Sequence, residues 1–378
     1  MELYVYDLEF NWLGIIDSFD CLIWETNYQT ADTMQLEITT KDTSLNNLLQ
    51  KDNVIYRDVK EAEPVPFYIE ESGFKDDAKT GLITYTVSGS SPEIWLDRRY
   101  TGLKETKKGK AGSVAAEFIK SNATEPTRSA RKISEYILDA DITKGKEIEV
   151  EAHYKKLYEV IVKILEDGDL GMKCYADFKK KKYVLKIFEG LDRTRDQQTN
   201  KKAIFSTEFD NISDQSYNID ARDYKNFALV AGAGEDEARK TLEVFEVDGQ
   251  EPTGLNRREV FIDARDISDK KKVGDTETPI PDAEYNKLLK ERGKEKLKEY
   301  IIEKMFECNV VGTEGLQFKR DYNVGDKVTI ENKKMNVDAA ERIVGIEETY
   351  DVDGYGEIKA KIGTKVFNVL DRLLKGGR

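Results

Sequence analysis

The first hundred residues are punctuated too often for long helices, and their apolar residues recur with a strand's period. Met34, Leu36 and Ile38 alternate with Gln35, Glu37 and Thr39, the period-two pattern of a strand with one buried face. Leu3-Tyr4-Val5-Tyr6 and Trp12–Ile16 flank the turn D-L-E-F-N, and Cys21–Trp24, Asn53–Arg57, Pro66–Glu71 and Leu82–Gly89 continue the series. Short strands at roughly even spacing predict a sandwich or barrel.

From Thr101 the texture changes. The polar crossing K-E-T-K-K-G-K-A-G leads to a small helix around Ser113–Ser121, with Ser113 as its expected N-cap. Tyr154, Leu157, Tyr158, Ile161 and Leu165 recur at three- and four-residue steps, predicting a helix over His153–Asp167 that Gly168 stops. Met172–Phe178 and Tyr183–Phe188 read as strands joined by Lys179–Lys182, a solvated hairpin tip rather than a phosphate patch. Ala203–Asp223 and Tyr224–Ala233 return to strand character, and Arg239–Asp266 reads as a hairpin. The run K-K-K-V-G-D-T-E-T-P-I-P-D reads as a loop feeding a helix capped by Asp282, with apolar positions Leu288, Leu289, Leu297, Tyr300 and Ile301 and a weak point at Gly293. Tyr322–Ile330, Ala340–Tyr350 and Tyr355–Gly363 are strand-like, and K-V-F-N-V-L-D-R-L-L-K at the end reads as an amphipathic helix. The expected class is a β-rich, multi-domain α+β fold. Its parts are a β module at 1–100 completed by 203–235, an inserted α/β domain at 101–202, a hairpin and long helix at 236–310, and a second β module with a terminal helix at 311–378. No period of 20–50 residues marks a solenoid.

The net charge of −13 speaks against a clustered basic face for nucleic acid. Cys21, Cys174 and Cys308 are odd in number and scattered, which predicts reduced thiols and synthesis in the cytoplasm. The opening M-E-L-Y-V-Y-D-L-E-F does not read as a signal peptide, so none is expected, and no window approaches the roughly 20 apolar residues of a membrane span.

Candidate chemistry is sparse. His153 is the single histidine, so a Ser-His-Asp or Cys-His centre would need it, and no nucleophile stands beside it. Zinc sites recruit several His or Cys ligands that this chain cannot supply. Val230-Ala231-Gly232-Ala233-Gly234 follows a strand as a dinucleotide loop would, but Glu235, Asp236 and Glu237 come next and would repel a pyrophosphate; a β-turn is the better reading. Asp7, Asp17 and Asp20 lack a calcium-loop pattern and read as solvated turns. Arg257 and Arg258 occupy opposite faces of a strand, so one points inward or into an interface; Glu259 or Asp263 could pair with it. Trp12, Trp24 and Trp95 sit in strand patterns and read as core rather than as a sugar platform. No catalytic, cofactor-binding or metal-binding residue is nominated, and no enzymatic activity is expected.

Several motifs, in order, carry a family resemblance. They are L-Y-V-Y-D-L-E-F-N-W-L-G-I-I-D, W-E-T-N-Y, S-P-E-I-W-L-D-R-R-Y (Ser91–Tyr100), F-E-G-L-D-R-T (Phe188–Thr194) and F-S-T-E-F-D-N-I (Phe205–Ile212). The series continues with Y-K-N-F-A-L-V-A-G-A-G-E, L-N-R-R-E-V-F-I-D-A-R-D-I, L-L-K-E-R-G-K-E-K-L and D-Y-N-V-G-D-K-V-T-I. Together they resemble the tail-tip, or baseplate, hub proteins of siphophages and prophages of Gram-positive hosts; relatives tend to show G-E-G-E where this chain has G-A-G-E. The resemblance implies a homotrimeric ring in the virion, with a channel for DNA and the tape measure protein. It also implies partners in the tail tube, the distal tail protein and the tip or receptor-binding proteins. Some tail-tip proteins carry a peptidase or muralytic domain after the hub, and none is expected here. The competing readings are a virion-associated cell-wall or carbohydrate hydrolase, a glycan-binding module, and the hub of a phage-like injection device.

Overall fold

The computed structural model describes residues 1–235, 239–273, 276–312, 316–352 and 356–364. The chain divides into two compact units, Met1–Tyr217 with Met305–Arg378, and Asn218–Lys304.

The first unit opens with β1 (Leu3–Tyr6), β2 (Trp12–Ile16), β3 (Cys21–Asn27) and β4 (Thr33–Thr40). A one-turn helix α1 (Leu45–Leu48) follows, then β5 (Val54–Tyr56), β6 (Pro66–Asp77) and β7 (Leu82–Ser90). They lie antiparallel in the order β3-β4-β7-β6-β5-β1-β2. β4 pairs with β7 without a break from Thr33↔Ser90 to Thr40↔Ile83. That register puts Met34, Leu36 and Ile38 on the buried face, with Leu3, Val5, Leu22, Trp24 and Phe67. At Gly89 a Cβ would stand 2.2 Å from the Tyr68 carbonyl oxygen, where the β6–β7 register shifts between Ile69 and Glu71. Only glycine allows that approach.

Next come β8 (Glu105–Lys110), α2 (Ala111–Ile119), β9 (Tyr136–Ala140), β10 (Glu147–Ala152), α3 (Leu157–Gly168), β11 (Gly171–Asp177) and β12 (Lys182–Phe188). β11 and β12 form the expected hairpin, with the lysine run at its tip, and β9 joins β12 in parallel. The two helices pack on this α/β layer through Val114, Phe118, Ile161 and Leu165. Both helices depart from the sequence expectation. α2 begins at Ala111 after an extended Lys110, and Ser113 does not cap it; its hydroxyl instead donates to Glu117 one turn on. α3 begins at Leu157, because Tyr154 takes a left-handed φ of 49° and Lys156 bridges to Tyr100. Its terminator is Asp169, with φ of 60°, rather than Gly168. Gly168 is needed for space: a Cβ there would lie 2.3 Å from that of Ala111.

β13 (Ile204–Ser206) and β14 (Ile212–Asp220) lead towards the second unit. There β15 (Phe227–Ala231) is flanked by β16 (Thr241–Phe245), antiparallel, and by β17 (Glu259–Asp263), parallel. The Arg239–Asp266 segment is therefore not a hairpin; its two strands lie on either side of β15. The expected loop contains a hairpin, β18 (Lys270–Val273) with β19 (Thr276–Pro279). Helix α4 (Asp282–Leu297) covers one face of the three-stranded sheet, with Tyr285, Leu289 and Leu297 against Ala228, Val230, Val244 and Ile262. Asp282 is its first residue and caps nothing. Tyr300 and Ile301 lie beyond its end. Gly293 is a packing requirement, since a Cβ would sit 2.7 Å from a Val244 methyl and 2.9 Å from a Val230 methyl.

The first unit is completed by β20 (Glu303–Val310), β21 (Lys327–Asn332), β22 (Val337–Asp351) and β23 (Gly356–Gly363). β22 changes partners along its length. Val337–Arg342 pair with β21, and after a register shift at Ile343/Gly345 the rest runs between β23 and β3. Strands from both ends of the chain thus join one thirteen-stranded network, with β2 and β14 as its end strands among the described residues. The fold is a β-rich, multi-domain α+β fold. The terminal amphipathic segment, and Asp236 and Glu237 of the acidic run, lie outside the described residues.

Candidate functional site

Three of the sequence motifs meet around one side chain, Tyr28, the last residue of W-E-T-N-Y. It sits just past β3 and is 1% exposed. Its hydroxyl donates to the Asp169 carbonyl at 3.1 Å and accepts the Gly190 amide of F-E-G-L-D-R-T at 3.2 Å. Its own backbone is held from both sides: its amide donates to Val344 at 3.0 Å, and its carbonyl accepts from Met172 at 2.8 Å. The ring lies in a slot made by two glycines. A Cβ on Gly171 would come within 2.2 Å of it, and one on Gly325, from D-Y-N-V-G-D-K-V-T-I, within 2.3 Å. Gly190 and Gly325 also touch directly, because a Cβ on Gly190 would fall 1.7 Å from the Gly325 carbonyl.

Charge closes the slot. The Arg342 guanidinium lies 5.0 Å above the Tyr28 ring. It binds Asp169 with two nitrogens, Nε donating to Oδ1 at 2.8 Å, and it also donates to the Gly325 carbonyl. Lys327 reaches the same carboxylate at 3.2 Å. Burial alone would raise the Asp169 carboxyl; Arg342 and Lys327 overcome it and hold the group below the usual carboxylate range. Beside it Asp326 accepts from Arg193 at 2.6 Å and from the Leu191 and Asn323 amides at 2.8 and 2.9 Å. Every polar atom named here has a partner, the condition under which a buried ionic cluster fixes one arrangement. What the arrangement does is mechanical: it locks the α/β layer to the N-terminal and C-terminal strands of the first unit.

The residues singled out in the sequence lie elsewhere. His153 stacks on the exposed Tyr154 at 5.0 Å, before α3 rather than within it. Gly232 follows β15 against the Tyr285 hydroxyl, and Gly234 adopts a φ of 106°. Asp7 accepts from the Glu9 and Asn11 amides, closing the first turn. No group of three or more His, Cys, Asp or Glu among the described residues is arranged to hold a metal ion. Arg257 stands 3.6 Å over the Phe227 ring and pairs with Glu251 and Glu259. Arg258 lies over Tyr224 and donates to the Ala221 carbonyl, while Asp263 pairs with Arg239 and Arg265. Trp24 and Trp95 are core, at 2% and 4% exposed, but Trp12 is 59% exposed on the end strand β2, which corrects the core reading for it. The Tyr28 slot escaped sequence reasoning. Its only signal was that glycines recur inside the motifs, and glycine spacing does not say which ring they admit.

The fold is shared with solved prophage tail proteins. The 43 kDa tail protein of prophage MuSo2 from Shewanella oneidensis aligns with a TM-score of 0.58 at 12% identity, over 96% of this chain and 98% of its own. A tail protein from Neisseria meningitidis MC58 gives 0.55 at 12% identity, over 96% and 95%. Prophage tail protein gp18 of Listeria monocytogenes EGD-e gives 0.52 at 12% identity, over 99% and 98%. No curated protein matches the sequence. The class is therefore a phage tail-protein fold spanning nearly the whole chain. Residues 2–364 match the Siphovirus ReqiPepy6 Gp37-like protein family, and the chain belongs to that family of siphovirus tail proteins.

Proposed function

We propose that the protein is the hub of a siphophage or prophage tail tip: a homotrimeric ring in the virion that joins the tail tube and distal tail protein to the tip or receptor-binding apparatus. The observation that carries this reading is the thirteen-stranded network, in which strands from both ends of the chain are locked together through Tyr28 and β2 and β14 stand at the ends. A rigid subunit with two end strands suits a closed ring, because heterologous contacts close when the rotation between copies is a simple fraction of a turn. The exposed Trp12, Leu13 and Ile15 on β2 suit a face covered in assembly, since long apolar edges are otherwise a liability. The ring encloses a channel for DNA and the tape measure protein, and the net charge of −13 suits passage of a polyanion without adhesion. The role is structural rather than enzymatic: the polar groups at the Tyr28 junction bind one another and hold the fold.

Quantitative mass spectrometry on purified particles, scaled to the tail-tube protein, tests the reading. About three copies per tail are expected for a single trimeric ring. Absence from complete tails would overturn it.

A further inference from the structure

A second junction inside the first unit contains groups that the Tyr28 lock does not use. Asp32, just before β4, and Glu93, in the turn of helix Pro92–Arg98 after β7, are 2% and 0% exposed. The Asp32 amide donates to the Ser91 hydroxyl at 2.9 Å, and Oδ1 of Asp32 accepts the Asn27 amide at 2.7 Å. Neither carboxyl oxygen of Glu93 has a partner in hydrogen-bonding geometry. The α/β layer closes over the pair. Tyr158 of α3 accepts the Ala31 amide at 2.8 Å, Tyr136 of β9 donates to the Pro92 carbonyl, and Cys174 of β11 is buried beside them.

The charged surroundings favour the proton. Burial raises Asp32, Glu93 adds to it, and the Asn27 amide and Lys173 offset only part. Burial likewise raises Glu93, and the Ser91 hydroxyl and the Glu93 and Cys174 amides do not cancel it. Among the cations facing the junction, Lys173 is engaged by Glu63, and Arg98 lies over the Tyr68 and Trp95 rings. Glu25 adds negative charge near Asp32 and is itself paired with Lys361, while Asp97 faces Tyr158 from the Pro92–Arg98 turn. Tyr136, Tyr158 and Cys174 are all raised, burial first, and remain protonated beside the pair. An ionised Glu93 would be a charge without solvent or a cation, faced only by the Ser91 hydroxyl and two amides.

We propose that Asp32 and Glu93 form a proton-operated latch: the α/β layer docks on the N-terminal strands with the pair protonated, and ionisation of the pair loosens it. The sign follows from linkage. A carboxyl raised in the folded state contributes stability that is complete below its unfolded value and is lost as pH rises through the folded one.

Hydrogen exchange of the full chain from about pH 5 to about pH 9, corrected for intrinsic amide chemistry, reads the latch. The opening constant of Leu157–Gly168 and of Gly171–Asp177 should rise by up to about tenfold per pH unit for each carboxyl that ionises on opening, while α4 in the second unit shows no such slope. Glu93→Gln should flatten the slope and Asp32→Asn should reduce it. A flat wild-type profile, or an undiminished slope in Glu93→Gln, overturns the proposal. If the variants do not fold, infrared difference spectra of the wild type decide. A protonated-carboxyl band present at neutral pH and lost on raising pH supports the latch, and its absence at neutral pH overturns it.

Discussion

Replacing Gly325 with alanine puts the Tyr28 lock under direct load. Gly325 has a φ of +91°, and its added Cβ would meet the Tyr28 ring at 2.3 Å. Two costs combine. A left-handed backbone costs alanine about 1 kcal/mol relative to glycine. Forcing a methyl into a closed slot costs about 1–3 kcal/mol, because the ring is held by its hydroxyl, its backbone and Arg342 and cannot retreat. The sum is about 2–4 kcal/mol. Gly81 is the matched control: its φ is +67°, it lies in the same unit, and a Cβ there meets nothing within 4 Å. Gly81→Ala should therefore cost only the backbone part, about 1 kcal/mol. Urea unfolding followed by circular dichroism, with midpoints and slopes compared, measures the difference. The double variant Gly325→Ala/Tyr28→Ala should lose less than the sum of the two single losses, since without the ring the added methyl meets no clash. Equal costs for Gly325→Ala and Gly81→Ala would refute the slot.

Gly293→Ala should destabilise the second unit by up to about 2 kcal/mol although alanine favours helix, because overpacking against Val244 and Val230 offsets the gain of about 1 kcal/mol in propensity; local hydrogen exchange in α4 checks the sign. The Asp169 carboxyl is depressed below its ordinary 3.8, so it contributes stability above that value that is lost as pH falls through the folded one; Asp169→Asn should be less stable at neutral pH and show a flatter acid limb in urea titrations. Trp12→Lys should leave thermal unfolding of the isolated chain within about 0.5 kcal/mol of wild type while blocking tail assembly in a complementation assay scored by electron microscopy.

Much of the fold was readable because strand periodicity survives any tertiary arrangement. Met34, Leu36 and Ile38 face the core as their alternation requires, and the lysine run marks a hairpin tip. What was unreadable depends on partners distant in sequence. α3 starts late because Tyr154 is in a left-handed conformation and Lys156 is tied to Tyr100, neither of which periodicity registers. β16 and β17 looked like a hairpin because they are successive strands, but β15 takes the place between them. Gly293 looked like a helix defect until Val244 and Val230 were found against it. The Tyr28 slot and the buried carboxyl pair were the least legible parts: the slot's glycines do not name the ring they admit. Asp32 and Glu93 are two acids among 73, and nothing local distinguishes a buried carboxyl from a solvated one.

The hub reading is tested most directly by a cryo-electron microscopy reconstruction of the tail tip at a resolution that traces this chain. The account predicts about three copies in a closed ring around the axial channel, with β2 of each subunit covered by a neighbour and acidic side chains on the lumen. A subunit found singly on the periphery, with β2 exposed and no part in the channel wall, would contradict it.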